Sequence, residues 1–281
     1  MRLSSYFQQV QALDKLILLL CSCYLLIDAC NGFLLNQFGR SFGLSALYKV
    51  LMLVLMLVSL SWRSGKTFLL FPALFILLLP GAFYSWLHLG GSLAPDLGLI
   101  LKLISPLIAF YYLLSLAQLD KDFVLKSVHR IFVVNYLIVL VNFILGALGY
   151  GYTSYLPQQH LTQVDLGSKG FFNAANELSV VLLVLSAWLL QYYWRQQKLI
   201  FLAVAATSVW CASLMLTKTA LLGSVLLVLL IPLMPWLIVL QITVACAILC
   251  NTLFLLAQQA GPLNPKRLLR HRGRGSGFLT D

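Results

Sequence analysis

Apolar residues along the chain form long, nearly unbroken runs that are separated by short polar stretches. A helix of about 20 apolar residues, rising ~1.5 Å per residue, crosses the ~30 Å hydrocarbon core of a bilayer. The runs are continuous rather than alternating, which indicates helices and not the strands of a membrane barrel. The pattern predicts an all-α, polytopic membrane protein with about eight or nine transmembrane helices. The predicted spans lie at about 16–35, 43–61, 67–87, 97–118, 130–149, 176–194, 199–216, 219–235 and 237–257.

Composition supports this fold class and limits the kinds of partner that we expect. Hydrophobic residues make up 61% of the chain and charged residues 10%, and the mean hydropathy of +0.92 lies outside the range of soluble domains. We predict one transmembrane helical domain over 1–259, with an external loop at about 150–175, and a basic tail over 260–281. The net charge of +11 lies largely in short loops beside the spans, so we expect membrane lipids as partners and no nucleic acid.

The distribution of Lys and Arg between alternate loops predicts the orientation of the chain. With a cytoplasmic N-terminus, the inside segments hold Arg2, Lys15, Arg63, Lys66, Lys121, Lys126, Arg130, Arg195 and Lys198. The outside segments and their flanks hold a smaller set: Arg40, Lys49, Lys102, Lys169 and Lys218. This excess predicts that the N-terminus is cytoplasmic. The first apolar run lacks an obvious small-residue cleavage site, so we expect it to be retained as a membrane anchor.

The last part of the chain does not fit this orientation. The segment "NPKRLLRHRGRGSGFLTD" is rich in Arg and Lys, yet nine spans would place it outside. Either the last two spans are miscounted, which Pro232 and Pro235 allow, or the tail is a non-native or truncated end.

Cysteine and histidine give no sign of a metal site. The cysteines all fall inside predicted spans without a CxxC motif, so we interpret them as small packing residues: Cys21, Cys23, Cys30, Cys211, Cys246 and Cys250. The histidines lie far apart in outer loops, at an inner boundary and in the tail: His88, His160, His129 and His271. No phosphate-binding loop, dinucleotide fingerprint or nucleophile elbow occurs, and we predict no metal and no cofactor.

The stretch "GFFNAANELS" places Asn173, Asn176 and Glu177 directly before an apolar span. This span ends at the turn "RQQK", and the next one returns to "LTKTALLG", which contains Lys218. Glu177 and Lys218 lie about 17 and about 20 residues from that turn, so their depths differ by only ~5 Å in an antiparallel hairpin. The spacing predicts an acid and a base at one membrane surface. They either cap and anchor helix ends or form a functional site.

These two motifs, in this order and spacing, resemble the O-antigen ligase and O-antigen polymerase superfamily of bacterial envelope polysaccharide enzymes. Family members carry a Gly-Phe and Asn-rich entry to one helix and a Ser/Thr-Arg/Lys-Thr/Gly entry to a later one. The similarity is concentrated in residues 165–230. It implies a metal-independent glycosyltransferase of the bacterial inner membrane. The implied donor is an undecaprenyl-diphosphate-linked glycan, and the implied acceptor is a glycan or lipid-linked sugar on the external face.

The resemblance also implies roles for individual residues. Lys218 falls on the family's basic motif, where a cation would neutralise the diphosphate leaving group. Asn173, Asn176 and Glu177 fall on the other motif, where they would shape the pocket or fix the basic group. We therefore predict Lys218 and Glu177 as the catalytic pair. The predicted substrate-binding set consists of Asn173, Asn176, Lys169, Thr217, Thr219 and Lys102.

The chain also departs from the family, which continues into a larger external loop with further basic residues and a histidine. The departure leaves open whether the activity is that of a polymerase, of a ligase or of an incomplete, inactive form. A transporter or flippase for a lipid-linked or anionic substrate is the alternative from another class of protein.

The external loop begins with three tyrosines, Tyr150, Tyr152 and Tyr155. They either form an aromatic belt at the membrane interface or stack on sugar rings.

Three polar residues share a face of the first span, and two share a face of the fifth. Tyr24, Asp28 and Asn31 follow an i, i+4, i+7 spacing, for which we predict interhelical bonds or headgroup contacts. Asn135 and Asn142 are predicted to make hydrogen bonds between helices.

Overall fold

A computed structural model describes residues 2–39, 43–89, 93–155, 166–172 and 174–233. These residues are almost entirely helical, in agreement with the predicted fold class. The helices are α1 (Arg2–Ser22), α2 (Tyr24–Phe38), α3 (Leu44–Arg63), α4 (Gly65–Leu89), α5 (Leu93–Ala117), α6 (Lys121–Ala147), α7 (Ala175–Gln196), α8 (Lys198–Met215) and α9 (Lys218–Leu230). Two short strands, β1 (Tyr152–Tyr155) and β2 (Leu166–Gly170), lie between α6 and α7.

Several of these helices are long and apolar enough to cross a bilayer. Among the described residues these are Leu44–Arg63, Asp96–Ala117, Lys121–Ala147, Ala175–Gln196 and Lys198–Met215. The bent pair Ala12–Ser22 and Tyr24–Phe38 makes a sixth span if it is counted as one. Apolar helices at Phe68–Tyr84 and Lys218–Leu230 are shorter. The protein is thus a helical membrane protein, with five or six such helices among the residues that the structure describes. The eight or nine predicted spans are not confirmed, and the span at 237–257 lies outside the described residues.

The chain divides into two compact units. The first holds the described residues up to Ala175 together with Trp210–Leu216, and the second holds Asn176–Val209 with the described residues from Thr217 onward. The core of the first unit is formed by α1, α3, α4, α5 and α6, with Ile17, Leu60 and Tyr112 fully buried. Large apolar side chains also face outward, such as Leu47 and Leu77. An outward apolar surface of this kind is suited to contact with lipid.

The first predicted span is broken, which corrects the expectation of one continuous helix at 16–35. α1 and α2 meet at Cys23 with a bend of 47°. In an unbroken helix the Leu25 N–H would donate to the Cys21 carbonyl. Instead, the Leu25 N–H donates to Asn135 Oδ1 over 3.2 Å, and Asn135 Nδ2 donates to the Cys21 carbonyl over 3.2 Å. An amide from α6 is thus inserted into the hydrogen-bond ladder, which is a known cause of sharp bends. The predicted interhelical role of Asn135 is confirmed.

The loop after α6 forms an antiparallel β-hairpin, which the sequence did not predict. Tyr152 pairs with Gly170, and Tyr155 pairs with Leu166. The hairpin pairs its own backbone groups, as chain near a bilayer must. Gly151 precedes β1 with φ +101°, a conformation that favours glycine. The predicted external loop at about 150–175 is therefore an ordered structure over its described residues.

Candidate functional site

The Gly-Phe part of the first motif is fixed to α6 by Asn142. Phe171 N–H donates to Asn142 Oδ1 over 2.8 Å, and Asn142 Nδ2 donates to the Lys169 carbonyl over 3.2 Å. Gly170 lies between these bonds with φ +57°, and a Cβ there would overlap the Asn142 amide. Glycine is needed at this position for both its backbone conformation and its size. Asn142, which we expected to join helices, joins α6 to the hairpin instead.

The same motif is fixed to α2 by Gly32. A Cβ on Gly32 would overlap the Phe171 carbonyl oxygen, so the backbone of the motif lies directly on the helix. The Phe171 ring meets Phe33 edge-on, with a centroid separation of 5.3 Å. The Tyr152 hydroxyl donates to the Gly32 carbonyl over 3.3 Å. Backbone, rings and hydroxyl together hold the end of the hairpin between α2 and α6.

In the second unit, α7 and α9 begin side by side. The buried hydroxyls of Ser179 and Thr217 lie 2.7 Å apart and share a hydrogen bond. Thr217 is also the N-cap of α9, because its Oγ1 accepts from the Ala220 N–H over 3.3 Å. One helical turn beyond Ala220, a Cβ on Gly223 would lie 2.7 Å from Leu183 Cδ1. The two helices therefore pack closely from their first turns onward.

This packing places Glu177 and Lys218 at one end of the second unit, as the spacing from the turn predicts. Glu177 lies two residues before Ser179 in the first turn of α7, and Lys218 follows Thr217 as the first residue of α9. Both side chains are exposed. In the part of the chain that the structure describes, no ion pair joins them. The arrangement brings an acid and a base to neighbouring helix starts without a direct contact.

The other predicted residues of the two motifs have different environments. Asn176 and Thr219 are exposed at the starts of α7 and α9. The hydroxyl of Thr217 is buried and already bonded, so it supports the helix start rather than facing a ligand. Asn173 lies outside the described residues.

The two remaining predicted lysines lie in the first unit. Lys169 is in β2, and its Nζ lies 5.7 Å from the centroid of the Tyr152 ring, a cation–π contact. Lys102 is exposed on α5. The structure thus connects Lys169 with the Gly-Phe motif of the hairpin, whereas Lys102 lies on a separate element.

The end of the second unit is suited to an anion. The N-terminal turn of a helix carries a partial positive charge and free N–H groups. At the start of α9 that charge is added to the ammonium of the exposed Lys218. Glu177 occupies the corresponding place on α7, where a carboxylate stabilises the helix start. A cationic and an anionic helix start therefore lie next to each other.

Sequence analysis missed a buried ionic cluster that joins α1, α3 and α5. The carboxylate of Asp14 pairs with Arg63, and their side chains are only 5% and 10% exposed. Asp14 Oδ1 also accepts from Ser59 over 2.9 Å and from the Tyr112 hydroxyl over 3.2 Å. Arg63 Nη1 donates to Ser115 over 3.2 Å. In the sequence, Asp14 lies just before one apolar run and Arg63 just after another. These positions could have indicated the cluster, but only the fold shows that the two residues form a pair.

A second ion pair confirms the interhelical role predicted for Asp28. Lys49 Nζ on α3 lies 3.0 Å from Asp28 Oδ1 on α2, and Ser45 also donates to that carboxylate. The Lys49 ammonium lies 5.2 Å from the centroid of the Tyr24 ring. Tyr24 and Asp28 therefore face one partner on α3.

No protein-family model, curated protein or solved structure matches this chain.

Proposed function

We propose that this chain is a membrane glycosyltransferase of bacterial O-antigen or capsular polysaccharide synthesis. It would polymerise or ligate a glycan from a polyprenyl-diphosphate donor onto a sugar acceptor at the external face of the cytoplasmic membrane. The proposal combines the sequence resemblance of the two motifs with the packing of the helices that carry them. The observation that carries it is the Ser179–Thr217 hydrogen bond, which holds the two motif-bearing helix starts together.

The proposed chemistry makes specific use of Lys218. The acceptor hydroxyl attacks the anomeric carbon, and the bond from that carbon to the donor phosphate oxygen breaks. The diphosphate leaves with the bonding electrons, and the proton of the acceptor hydroxyl passes to the leaving diphosphate. Negative charge then grows on the leaving group, where the Lys218 ammonium and the positive end of α9 stabilise it. Glu177 would hold the ammonium in place through its charge rather than through a direct contact.

The test is the replacement of Lys218 by Ala and by Arg at the chromosomal locus, so that any adjoining segment needed for activity is kept. We expect Lys218→Ala to lower glycan transfer by about 10²–10³-fold, the typical effect of removing a group that stabilises developing negative charge. Lys218→Arg keeps the charge with altered geometry and should retain part of the activity. The measurements are long-chain glycan on polysaccharide gels and protein abundance in membranes.

Lys198 supplies a matched control. It is also the exposed first residue of a helix, but it begins α8 at the basic turn, away from the motifs. Lys198→Ala should leave glycan unchanged. Normal long-chain glycan from Lys218→Ala at normal abundance would refute the proposed role of Lys218 and leave only the resemblance.

Glu177→Gln separates two roles for the carboxylate. An amide oxygen still accepts hydrogen bonds from free N–H groups at a helix start. If Glu177 only caps the helix, the Glu177→Gln variant should therefore keep most of its activity. If its charge positions Lys218, the variant should lose most of its activity.

The alternative of a transporter or flippase has less support. The backbone groups at the α1–α2 break already bind Asn135 and are not open to a substrate.

A further inference from the structure

The hydroxyl of Thr217 makes two contacts at the start of α9. It shares a hydrogen bond with the Ser179 hydroxyl, which lies 2.7 Å away on α7. It also accepts from the Ala220 N–H over 3.3 Å, which caps α9. A hydroxyl has one proton and two lone pairs, so one oxygen can make both contacts at the same time. The cap of α9 is therefore connected to a side chain of the neighbouring helix.

The contact with Ser179 restricts Thr217 to one arrangement. A threonine side chain has three staggered rotamers, and the cap requires the one that directs Oγ1 towards the free N–H groups of the helix. Ser179 and Thr217 are both buried, and a buried hydroxyl that loses its partner is costly. The Ser179 hydroxyl thus stabilises the rotamer in which Thr217 caps α9.

The conformation of Thr217 in turn determines where α9 begins. Its backbone is extended, with φ −87° and ψ 130°, and its carbonyl accepts from the Leu221 N–H over 3.1 Å. Lys218 is the next residue and the first of the helix. The position of the Lys218 backbone, from which the exposed side chain extends, therefore depends on Thr217.

A second hydroxyl pair on α7 lacks this connection. The Ser186 and Ser208 oxygens lie 2.8 Å apart, and both residues are buried. Ser186 lies about two helical turns after Ser179, so the two serines are on the same side of α7. Ser208 lies within α8 and not at a helix start. The two pairs match in chemistry and burial, but only Ser179 is bonded to the residue that caps α9.

We propose that Ser179 is a positioning residue, which fixes the place of Lys218 through the hydroxyl of Thr217. This role rests on the proposed function, in which the Lys218 ammonium stabilises the leaving diphosphate. Ser179 is buried and acts through Thr217 and not on the substrate. It gives α7 a second role at the site, beside that of Glu177.

The first test compares Ser179→Ala with Ser186→Ala at the chromosomal locus. Each variant loses one buried hydroxyl from α7 and leaves a hydroxyl partner behind, so we expect similar losses of stability. Ser179→Ala should lower long-chain glycan, relative to protein abundance in membranes, by up to about 100-fold, the effect of misplacing a reacting group by ~1 Å. Ser186→Ala should leave this ratio unchanged.

The second test measures the cap itself and does not depend on glycan transfer. Hydrogen exchange of the purified full chain in detergent, followed by mass spectrometry, reports the protection of amides at the start of α9. Ser179→Ala should speed exchange there, because Thr217 is no longer held in the capping rotamer. Ser186→Ala should not change exchange at this helix start. Thr217→Val removes the cap outright and defines the largest effect.

A double substitution tests whether Ser179 acts through Thr217. In the Thr217→Val background, Ser179→Ala should cause no further loss of glycan and no further increase in exchange, because the contact is already absent. Ser179→Cys keeps the size of the side chain but has only a weak donor. It takes the place of Ser179→Ala if that variant does not accumulate in membranes.

Three results would overturn the inference. The first is wild-type exchange at the start of α9 in Ser179→Ala. The second is an equal effect of Ser179→Ala and Ser186→Ala on that exchange, because the hydroxyl would then serve packing alone. The third is a further increase in exchange when Ser179→Ala is added to Thr217→Val. Normal glycan from Lys218→Ala would instead refute the proposed function, and exchange alone would then decide whether Ser179 fixes the start of α9.

Discussion

At the scale of single residues, the Asp14–Arg63 pair shows that the stabilising effect of an ion pair depends on its burial and on its hydrogen bonds. Every oxygen of the Asp14 carboxylate has a partner, among Arg63, Ser59 and Tyr112. A charge buried away from water is costly unless it is paired and hydrogen-bonded. The importance of the pair therefore lies mainly in the cost of removing one partner, which would leave the other charge buried and unpaired. This cost is greater still where lipid surrounds the helices.

We predict that Arg63→Met destabilises the protein by about 3–5 kcal/mol, because it leaves the Asp14 carboxylate buried without its counter-charge. The double substitution Asp14→Leu with Arg63→Met should recover much of this loss, since neither charge remains. Thermal unfolding in detergent, followed by loss of the monodisperse peak, is the measurement. Lys126→Met removes an exposed cation on α6 and is the control. A double variant less stable than Arg63→Met would contradict the prediction.

A second prediction concerns the glycine that receives the hairpin. Gly32→Ala should displace the Phe171 carbonyl and destabilise the docked hairpin by about 1–3 kcal/mol, the usual cost of overpacking. The effect should be seen as faster hydrogen exchange in β1 and β2. Gly98→Ala on α5 is the matched control, since nothing lies within 4 Å of a Cβ there. Equal exchange in both variants would show that the close approach at Gly32 is not required.

At the scale of elements, the sequence predicted helices better than the contacts that shape them. The hairpin of α7 and α8 and the start of α9 were placed within a few residues, because long apolar runs end at the charged turn "RQQK" and at Lys218. The strands β1 and β2 were not predicted, because a short segment rich in Gly and Tyr has no clear alternating pattern. Nor could a break at Cys23 be predicted, since its cause lies on α6.

The candidate site was predicted only in part, because the sequence indicates where helices begin and end but not which side chains come into contact. The spacing of Glu177 and Lys218 from one turn was enough to place both helix starts at one end, because helix rise is uniform. The burial of the Thr217 hydroxyl and the absence of an ion pair between those two described residues depend on side-chain packing. So do the roles of Asn142 and Gly32 in holding the hairpin. Hydropathy carries no information on such contacts.

At the scale of the whole molecule, the orientation in the membrane stays a prediction from the distribution of charge. A reporter fused after Gln197, between α7 and α8, should report a cytoplasmic location, because the basic residues Arg195 and Lys198 flank it. A reporter inserted near Gln159, which lies outside the described residues, should report an external location. The measurement is the activity of paired reporters that are active on only one side of the membrane. Reversed signals at both positions would reject the orientation.

The insertion of Asn135 into the first span also has a consequence for biosynthesis. Leu25 and Asn135 are 110 residues apart in the chain. At about 5–20 residues per second, the ribosome needs roughly 5–20 s to reach the asparagine after it has made Leu25. During that time the first span is in lipid without its amide partner, where an unpaired N–H and carbonyl are costly. We therefore expect it to enter the membrane as a straight helix and to acquire its 47° bend only when α6 arrives.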